Sequence, residues 1–322
     1  MKSSRDPEHY QLSLRRPADF EDFWSDVLAT AAAIPLEPSQ EPVPLRSTDD
    51  VETFEIHYQS LDGIRVAGWY SRPALDAVPP PYPGLLVVPG YISEPAVPTT
   101  WARLGYAAVG VAPRGKLRSN RRFNPGYPGL LVHDIVDRNT YAYRGFYVDA
   151  VRAADYLLTR PEVDPARIGV HGSSQGGALT IVTAALRAGV ITCGAAGAPY
   201  LCGMMDAARL THSYPYEEIN EYLRRHPDHE PLVEETLAYF DGVNFAPMIE
   251  APMLVYIGEE DDVCPPETGH AVYRAMRCEK ELIASPGCAH DAGAHWIHTR
   301  VEDFLARHLR PVPVRPAAEA AR

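Results

Sequence analysis

The stretch Ile168-Gly169-Val170-His171-Gly172-Ser173-Ser174-Gln175-Gly176-Gly177-Ala178-Leu179 decides the fold. A short apolar run leads into Gly-x-Ser-x-Gly, and a second apolar run of helix formers follows to Leu186. Strand, tight turn, then helix is the setting in which that five-residue pattern forms a nucleophile elbow. The turn admits only small residues at its flanks, here Gly172 and Gly176. It lifts the Ser174 hydroxyl clear of the sheet and sets it at a helix N-terminus, where backbone N–H groups favour negative charge. Ser173 fails the spacing, and His171, on the strand, reads as a core histidine.

Working outward, short continuous apolar runs recur at 85–88, 107–111, 168–170, 194–197, 253–257 and 282–284. Such runs suit strands buried on both faces of a parallel sheet. Helical patterns at 145–159, 176–189, 266–277 and 294–308 separate most of them, which predicts a doubly wound, mostly parallel α/β sheet. Upstream, 17–28 has apolar residues at helical spacing. The runs 51–58 and 64–70 flank an Asp62-Gly63 turn and read as an antiparallel hairpin at a sheet edge. Residues 200–245 are helix-rich and aromatic, which predicts a helical cap insertion. A single domain over 1–310 is expected, since large α/β folds often run as one. The Pro- and Ala-rich tail, 311–322, is expected to be disordered.

The chain has 322 residues, 46% of them hydrophobic, and a net charge of -12. That balance argues against a nucleic-acid surface, which needs clustered Lys and Arg; the short basic cluster 118–122 reads as a solvated loop. No stretch is long and apolar enough to span a bilayer. Residues 1–10 lack the apolar core of a secretion signal. The five cysteines have no paired spacing and read as free thiols in a reducing cytoplasm. Cys264, Cys288 and His290 lack the spacing of a metal motif, so no metal is expected. No cofactor is expected either.

A nucleophilic serine needs a base, and the base needs an orienting carboxylate. In the elbow fold these follow in the order Ser, Asp or Glu, His. After the run 253–257 come four acids, Glu259, Glu260, Asp261 and Asp262, and spacing alone does not choose among them. After 282–284 comes His290, in the loop where the base belongs. His295 and His298 fall inside the next helix and read as surface or packing residues. Two N–H donors should form the oxyanion hole. One is Gln175, after the nucleophile. The other is expected from the loop Pro89-Gly90-Tyr91-Ile92, with Tyr91 as donor. The connection 116–143 is long for a compact domain. Its apolar residues (Phe123, Tyr127, Leu130, Leu131, Val132, Ile135) would lie in water in a monomer, which predicts burial between subunits; the alternative is that the loop folds over its own active site as a lid.

The chain resembles the acetyl xylan esterase and cephalosporin C deacetylase family, carbohydrate esterase family seven, from about residue 17 to 309. The likeness rests on Arg114-Gly115-Lys116-Leu117-Arg118-Ser119, Gly172-Ser173-Ser174-Gln175-Gly176-Gly177, Asp261-Asp262-Val263-Cys264-Pro265-Pro266 and His290-Asp291. Residues 137–145 and Ala198-Pro199-Tyr200-Leu201 are also similar. The resemblance implies a catalytic set of Ser174, Asp261 and His290, an oxyanion hole of Tyr91 and Gln175, and pocket walls from Tyr91, Pro199 and Tyr200. It implies deacetylation of short acetylated carbohydrates and antibiotics. It also implies a ring-shaped homohexamer with 116–143 as its assembly loop. Pro89, Lys116 and Asp291 depart from the family's usual His, Gln and Glu. Two other readings stand beside this one. A general carboxylesterase or prolyl-type peptidase shares the elbow, though the chain has no room for the peptidase's propeller. A hydrolase fold kept for ligand binding would show a damaged catalytic set.

Overall fold

The computed structural model describes residues 6–314. Nine strands form one sheet: β1 (Ser39–Pro42), β2 (Val51–Gln59), β3 (Arg65–Pro73), β4 (Tyr82–Val87), β5 (Ala107–Ala112), β6 (Val163–Ser173), β7 (Ile191–Gly197), β8 (Met253–Gly258) and β9 (Lys280–Ser285). Their spatial order is β1-β2-β3-β5-β4-β6-β7-β8-β9. From β5 to β9 every pairing is parallel. β1, β2 and β3 attach antiparallel on the β5 side. The hairpin of β2 and β3 is as expected, but the edge is β1. Its residues, Ser-Gln-Glu-Pro, are half or fully exposed and carry no apolar pattern. They join the sheet through backbone pairing, a signal that hydrophobic periodicity does not carry.

Among the described residues, ten helices pack around this sheet: α1 (Phe20–Ala32), α2 (Thr99–Arg103), α3 (Ala142–Leu158), α4 (Gln175–Leu186), α5 (Met204–Leu210), α6 (Glu217–Arg225), α7 (Glu230–Ala238), α8 (Gly242–Phe245), α9 (Pro266–Ala275) and α10 (Ala294–Leu309). Strand residues alternate between two layers. Leu86, Val109, Val170 and Val255 join the core under α1, α3, α4 and the cap. Leu85, Ala108, Ala195 and Leu254 join the core under α2 and α10. Both faces are covered, so the strands read as continuous apolar runs rather than alternating ones. Every residue of α4 is buried, as its all-round apolar sequence requires.

The cap, 200–245, is built from α5 to α8, with no strand among its residues. Helix α1 braces it. Phe20, Trp24, Val27 and Ala31 bury one face, and the Trp24 indole donates to the Tyr239 carbonyl at 2.8 Å. Buried Asp241 caps α8 and also accepts the N–H groups of Gly203 and Met204, closing the base of the cap on itself.

Two expectations need correction. The tail does not leave the fold at 311. The Val314 N–H donates to the Arg103 carbonyl at 2.9 Å. The approach is possible because residue 105 is glycine: a Cβ there would stand 2.2 Å from the Val312 carbonyl oxygen. The rest of the expected disordered tail, 315–322, lies outside the described residues. Second, the connection 116–143 does not leave its apolar residues in water. Leu130, Leu131 and Ile135 are buried within the chain, and Phe123, Tyr127 and Val132 pack on the same core. The loop folds over its own molecule, which removes exposure as an argument for assembly.

The start of that connection is fixed by charge. Arg114 and Asp149 form a buried pair, with guanidinium Nε and Nη2 donating to the carboxylate at 2.9 and 3.0 Å. Arg114 also reaches the Leu61 carbonyl and Asp62, so one side chain ties the β2–β3 turn, the β5 loop and α3 together. Removing one member of such a pair strands a buried charge, at a cost of about 3–5 kcal/mol. Urea unfolding of Arg114→Met should show a loss of that size, and Arg114→Met/Asp149→Leu should recover much of it. A single-variant loss below about 1 kcal/mol would mean that water reaches the pair.

Candidate active site

The elbow is strained. Ser174 has φ 59° and ψ -122°, a conformation an L-residue avoids. Such backbone costs of order 1–3 kcal/mol and persists only where neighbours over-determine it. Here the Ser174 N–H donates to the Gly197 carbonyl at 2.9 Å, and its carbonyl accepts from the Tyr200 N–H at 3.1 Å. The flanking glycines answer a close approach by β4. A Cβ at Gly176 would stand 2.4 Å from the Val88 carbonyl oxygen, and one at Gly172 would stand 2.7 Å from it.

Of the four acids after β8, burial selects one. Glu259, Glu260 and Asp262 are exposed, whereas Asp261 is buried. One Asp261 carboxylate oxygen accepts the N–H groups of Val263 and Cys264, each at 2.8 Å. The other lies 2.8 Å from His290 Nδ1. The His290 loop can come this close because residue 258 is glycine: a Cβ there would meet the Ala289 carbonyl oxygen at 2.0 Å. Ser174 and His290 line one cavity of about 620 Å³, together with Gly90, Tyr91, Tyr127, Tyr214 and Glu218.

Cys264 lies beside these groups. Burial, reinforced by the Asp261 charge, holds its thiol well above the usual range, so it stays neutral and is no rival nucleophile. The metal-capable atoms of Asp261, Cys264 and His290 fall within 4.8 Å of one another. Both Asp261 oxygens are already engaged, so this cluster is part of the serine site. Cys288 is not in it. His171 is a satisfied core residue. Burial pushes its pKa down to about 4, its Nδ1 lies 3.2 Å from the Ala195 carbonyl, and its ring packs on Trp101. His298 sits on α10 facing Glu302, and His295 lies on the same helix.

Gln175 opens α4, where a backbone N–H has no intrahelical acceptor. Its buried side chain accepts from the Tyr143 hydroxyl at 2.8 Å and donates to the Gly90 carbonyl at 3.3 Å, joining helix, elbow and the 89–91 loop. The Tyr91 ring walls the cavity. Its hydroxyl donates to Glu218 at 2.6 Å and accepts the Leu131 N–H at 3.1 Å. The second Glu218 oxygen accepts the Gly129 N–H at 2.8 Å. Sequence reasoning missed Glu218. Its partner Tyr91 is 127 residues away and α6 carries no motif. The pocket-wall role expected of Pro199 and Tyr200 is corrected: both are buried and neither lines the cavity. Tyr200 instead supports the elbow through its N–H and packs edge-on against Tyr91 and Tyr216.

Strand order and a serine held at a strained strand-to-helix turn define the α/β-hydrolase class. Comparison with known proteins gives the particular branch. The chain matches the acetyl xylan esterase family over residues 6–308. It is 30% identical over 305 residues to the acetyl esterase Axe7A of Xylanibacter ruminicola, covering 90% of this chain and 66% of that protein. It thus spans just under two thirds of that relative. An acetyl xylan esterase structure from Paenibacillus sp. R4 superposes with a TM-score of 0.88 at 31% identity, over 94% of this chain and 98% of that one. Acetyl xylan esterase 1 from Thermoanaerobacterium sp. JW/SL YS485 gives 0.82 at 23% identity over 93% and 96%, a likeness of fold. The chain belongs to the acetyl xylan esterase family.

Burial and partners single out Asp261. Asp261→Asn should therefore lower the rate of ester hydrolysis by about ten-thousand-fold, the size seen when an orienting carboxylate loses its charge and favours the wrong imidazole tautomer. Asp262→Asn should stay within about twofold, as surface changes do. Steady-state hydrolysis of p-nitrophenyl acetate reads both, and crippling by Asp262→Asn would move the assignment by one residue.

Proposed function

We propose that the protein is a serine esterase that removes small acyl groups, acetyl foremost, from carbohydrates or other small acetylated molecules. The observation that carries this reading is the 2.8 Å pairing of His290 with buried Asp261 in the cavity that holds strained Ser174. Ser174 Oγ attacks the ester carbonyl while His290 takes its proton. The backbone N–H groups of Tyr91 and Gln175 bind the oxyanion that develops, and losing one such donor costs about 3 kcal/mol of transition-state stabilisation. The C–O bond to the alcohol breaks, and His290 returns the proton to the leaving oxygen. Water, deprotonated by His290, then attacks the acyl-serine; the bond to Ser174 Oγ breaks, His290 returns the proton to that oxygen, and the acid and free Ser174 are released. Asp261 holds the imidazole tautomer and stabilises its cation. No step requires a cofactor.

The rings of Tyr91 and Tyr127 meet edge-on at 4.9 Å and line the cavity that holds Ser174, where they bound the acyl side in this reading. Exposed Ile92 and Tyr214 stand at the mouth, where the alcohol portion would rest. All five cysteines are free thiols, which suits the reducing cytoplasm. No helix among the described residues is long and apolar enough to cross a membrane. A closed homohexamer is part of the proposal. It rests on the resemblance and on exposed apolar side chains away from 116–143, such as Leu45 and Trp296.

Ser174→Ala should abolish turnover with the fold intact, and residual activity above about a thousandth of wild type would remove Ser174 from its role. Specificity constants should fall steeply beyond propionyl esters; equal values for acetyl and octanoyl esters would point to a general carboxylesterase. Light scattering at micromolar concentration should give a mass near six chains, and a monomer mass would end the assembly claim without touching the chemistry.

A further inference from the structure

Lys116 is a buried cation beside the 90–91 peptide that the mechanism above does not use. Only 1% of its surface is exposed. Its position is set from both sides in sequence. Arg114 is held by Asp149, and the Ser119 hydroxyl donates to the Ala112 carbonyl at 2.6 Å while accepting the Ala67 N–H at 2.8 Å. Between these anchors the Lys116 chain turns inward. Its ammonium donates to the Gly90 carbonyl at 2.7 Å and also to the Tyr91 carbonyl, and sits 4.9 Å from the centre of the Tyr127 ring.

The carbonyl of Gly90 and the N–H of Tyr91 are two ends of one planar, conjugated peptide unit. A cation on the oxygen draws charge across that unit and makes the N–H a stronger donor, as hydrogen bonds in a chain polarise one another. The Gln175 amide adds to the same oxygen at 3.3 Å. We propose that Lys116 is an electrostatic positioning residue of the oxyanion hole: it fixes the 90–91 peptide and polarises it, so that the Tyr91 N–H binds the developing oxyanion more strongly than the ground-state carbonyl. This rests on the esterase reading above. It accounts for a charge kept where desolvation is costly.

The charged and titratable groups around this ammonium are Glu94 on the same loop, Tyr127 on the long connection, Glu218 of α6 beyond Tyr91, and His290 across the cavity. Burial lowers the Lys116 pKa to about 8, with Glu94 acting in the opposite direction. The ammonium is therefore present at neutral pH and is lost as pH rises through about 8.

The test is a kcat and KM comparison of wild type, Lys116→Gln and Lys116→Met on p-nitrophenyl acetate from pH 6 to 9.5, with Ser174→Ala alongside. Gln keeps a donor for Gly90 without the charge; Met keeps neither. Both should lower kcat by about tenfold to fiftyfold with KM within about twofold, less than the hundredfold or more that follows loss of a whole donor. Wild type should lose kcat as pH passes about 8, and both variants should be flat there. Wild-type kcat in Lys116→Gln, or an alkaline fall that persists in it, overturns the proposal. Should neither variant fold, the wild-type profile decides: constant kcat from pH 7 to 9.5 overturns it. Activity retained by Ser174→Ala would instead bring down the esterase reading itself.

Discussion

The structure depends on one close approach, that of the Val88 carbonyl to the two glycines of the elbow. Gly172 and Gly176 bring the end of β4 within contact of the first turn of α4, closer than any side chain permits. The Val88 N–H completes the arrangement by donating to the His171 carbonyl at 3.0 Å. The segment leaving β4 therefore starts its turn directly beside the residue that follows the nucleophile. Gly90 and Gln175, just over a quarter of the chain apart, become neighbours through this backbone approach, and the Gln175 side chain donates to the Gly90 carbonyl. The strain at Ser174 is the local cost of that approach, held in place by Gly197 and Tyr200.

Charge and chain direction supply the rest. In the parallel half of the sheet, β4, β6, β8 and β9 all end on the same side, so the 89–91 loop, Ser174, Asp261 and His290 emerge there together. This is where open α/β sheets place their ligands. The Arg114–Asp149 pair then decides what the loop after β5 can do. With Arg114 fixed just upstream, the 116–143 connection runs back to the cavity and delivers Tyr127 and Pro128 to its wall, while the Gly129 and Leu131 N–H groups bond to Glu218 and Tyr91.

Much of this was legible in the sequence because it is encoded locally. The elbow is a contiguous pattern, and strands buried on both faces announce themselves as apolar runs. The acid was legible only as one of four candidates. Asp261 differs from its neighbours by burial and by the N–H groups it accepts, and neither is a property of residue type. Gly258 was in plain view, but its purpose depends on a loop that arrives about thirty residues later. Tyr200 and Pro199 mislead for a related reason: a motif next to a site in sequence marks support for the site as readily as contact with substrate. The apolar content of 116–143 was read correctly as needing burial. What covers it is its own core, which composition cannot distinguish from a neighbouring subunit. Glu218 was invisible because α6 is amphipathic and carries three glutamates, Glu217, Glu218 and Glu221, and nothing local separates this one from the others.

The Tyr91 hydroxyl gathers three distant segments: its own loop, the 129–131 turn and cap helix α6, all meeting through Glu218. Mechanically this is a closed set of bonds in the wall of the cavity, inside the mouth where Ile92 and Tyr214 stand. An entrance built this way works as a sieve rather than a door. It discriminates by what fits a fixed opening, and it spends no binding energy on closure. On the proposed esterase reading, admitting larger acyl groups is then a matter of replacing side chains in that wall, since lengthening any one of the three segments would break the ring of bonds.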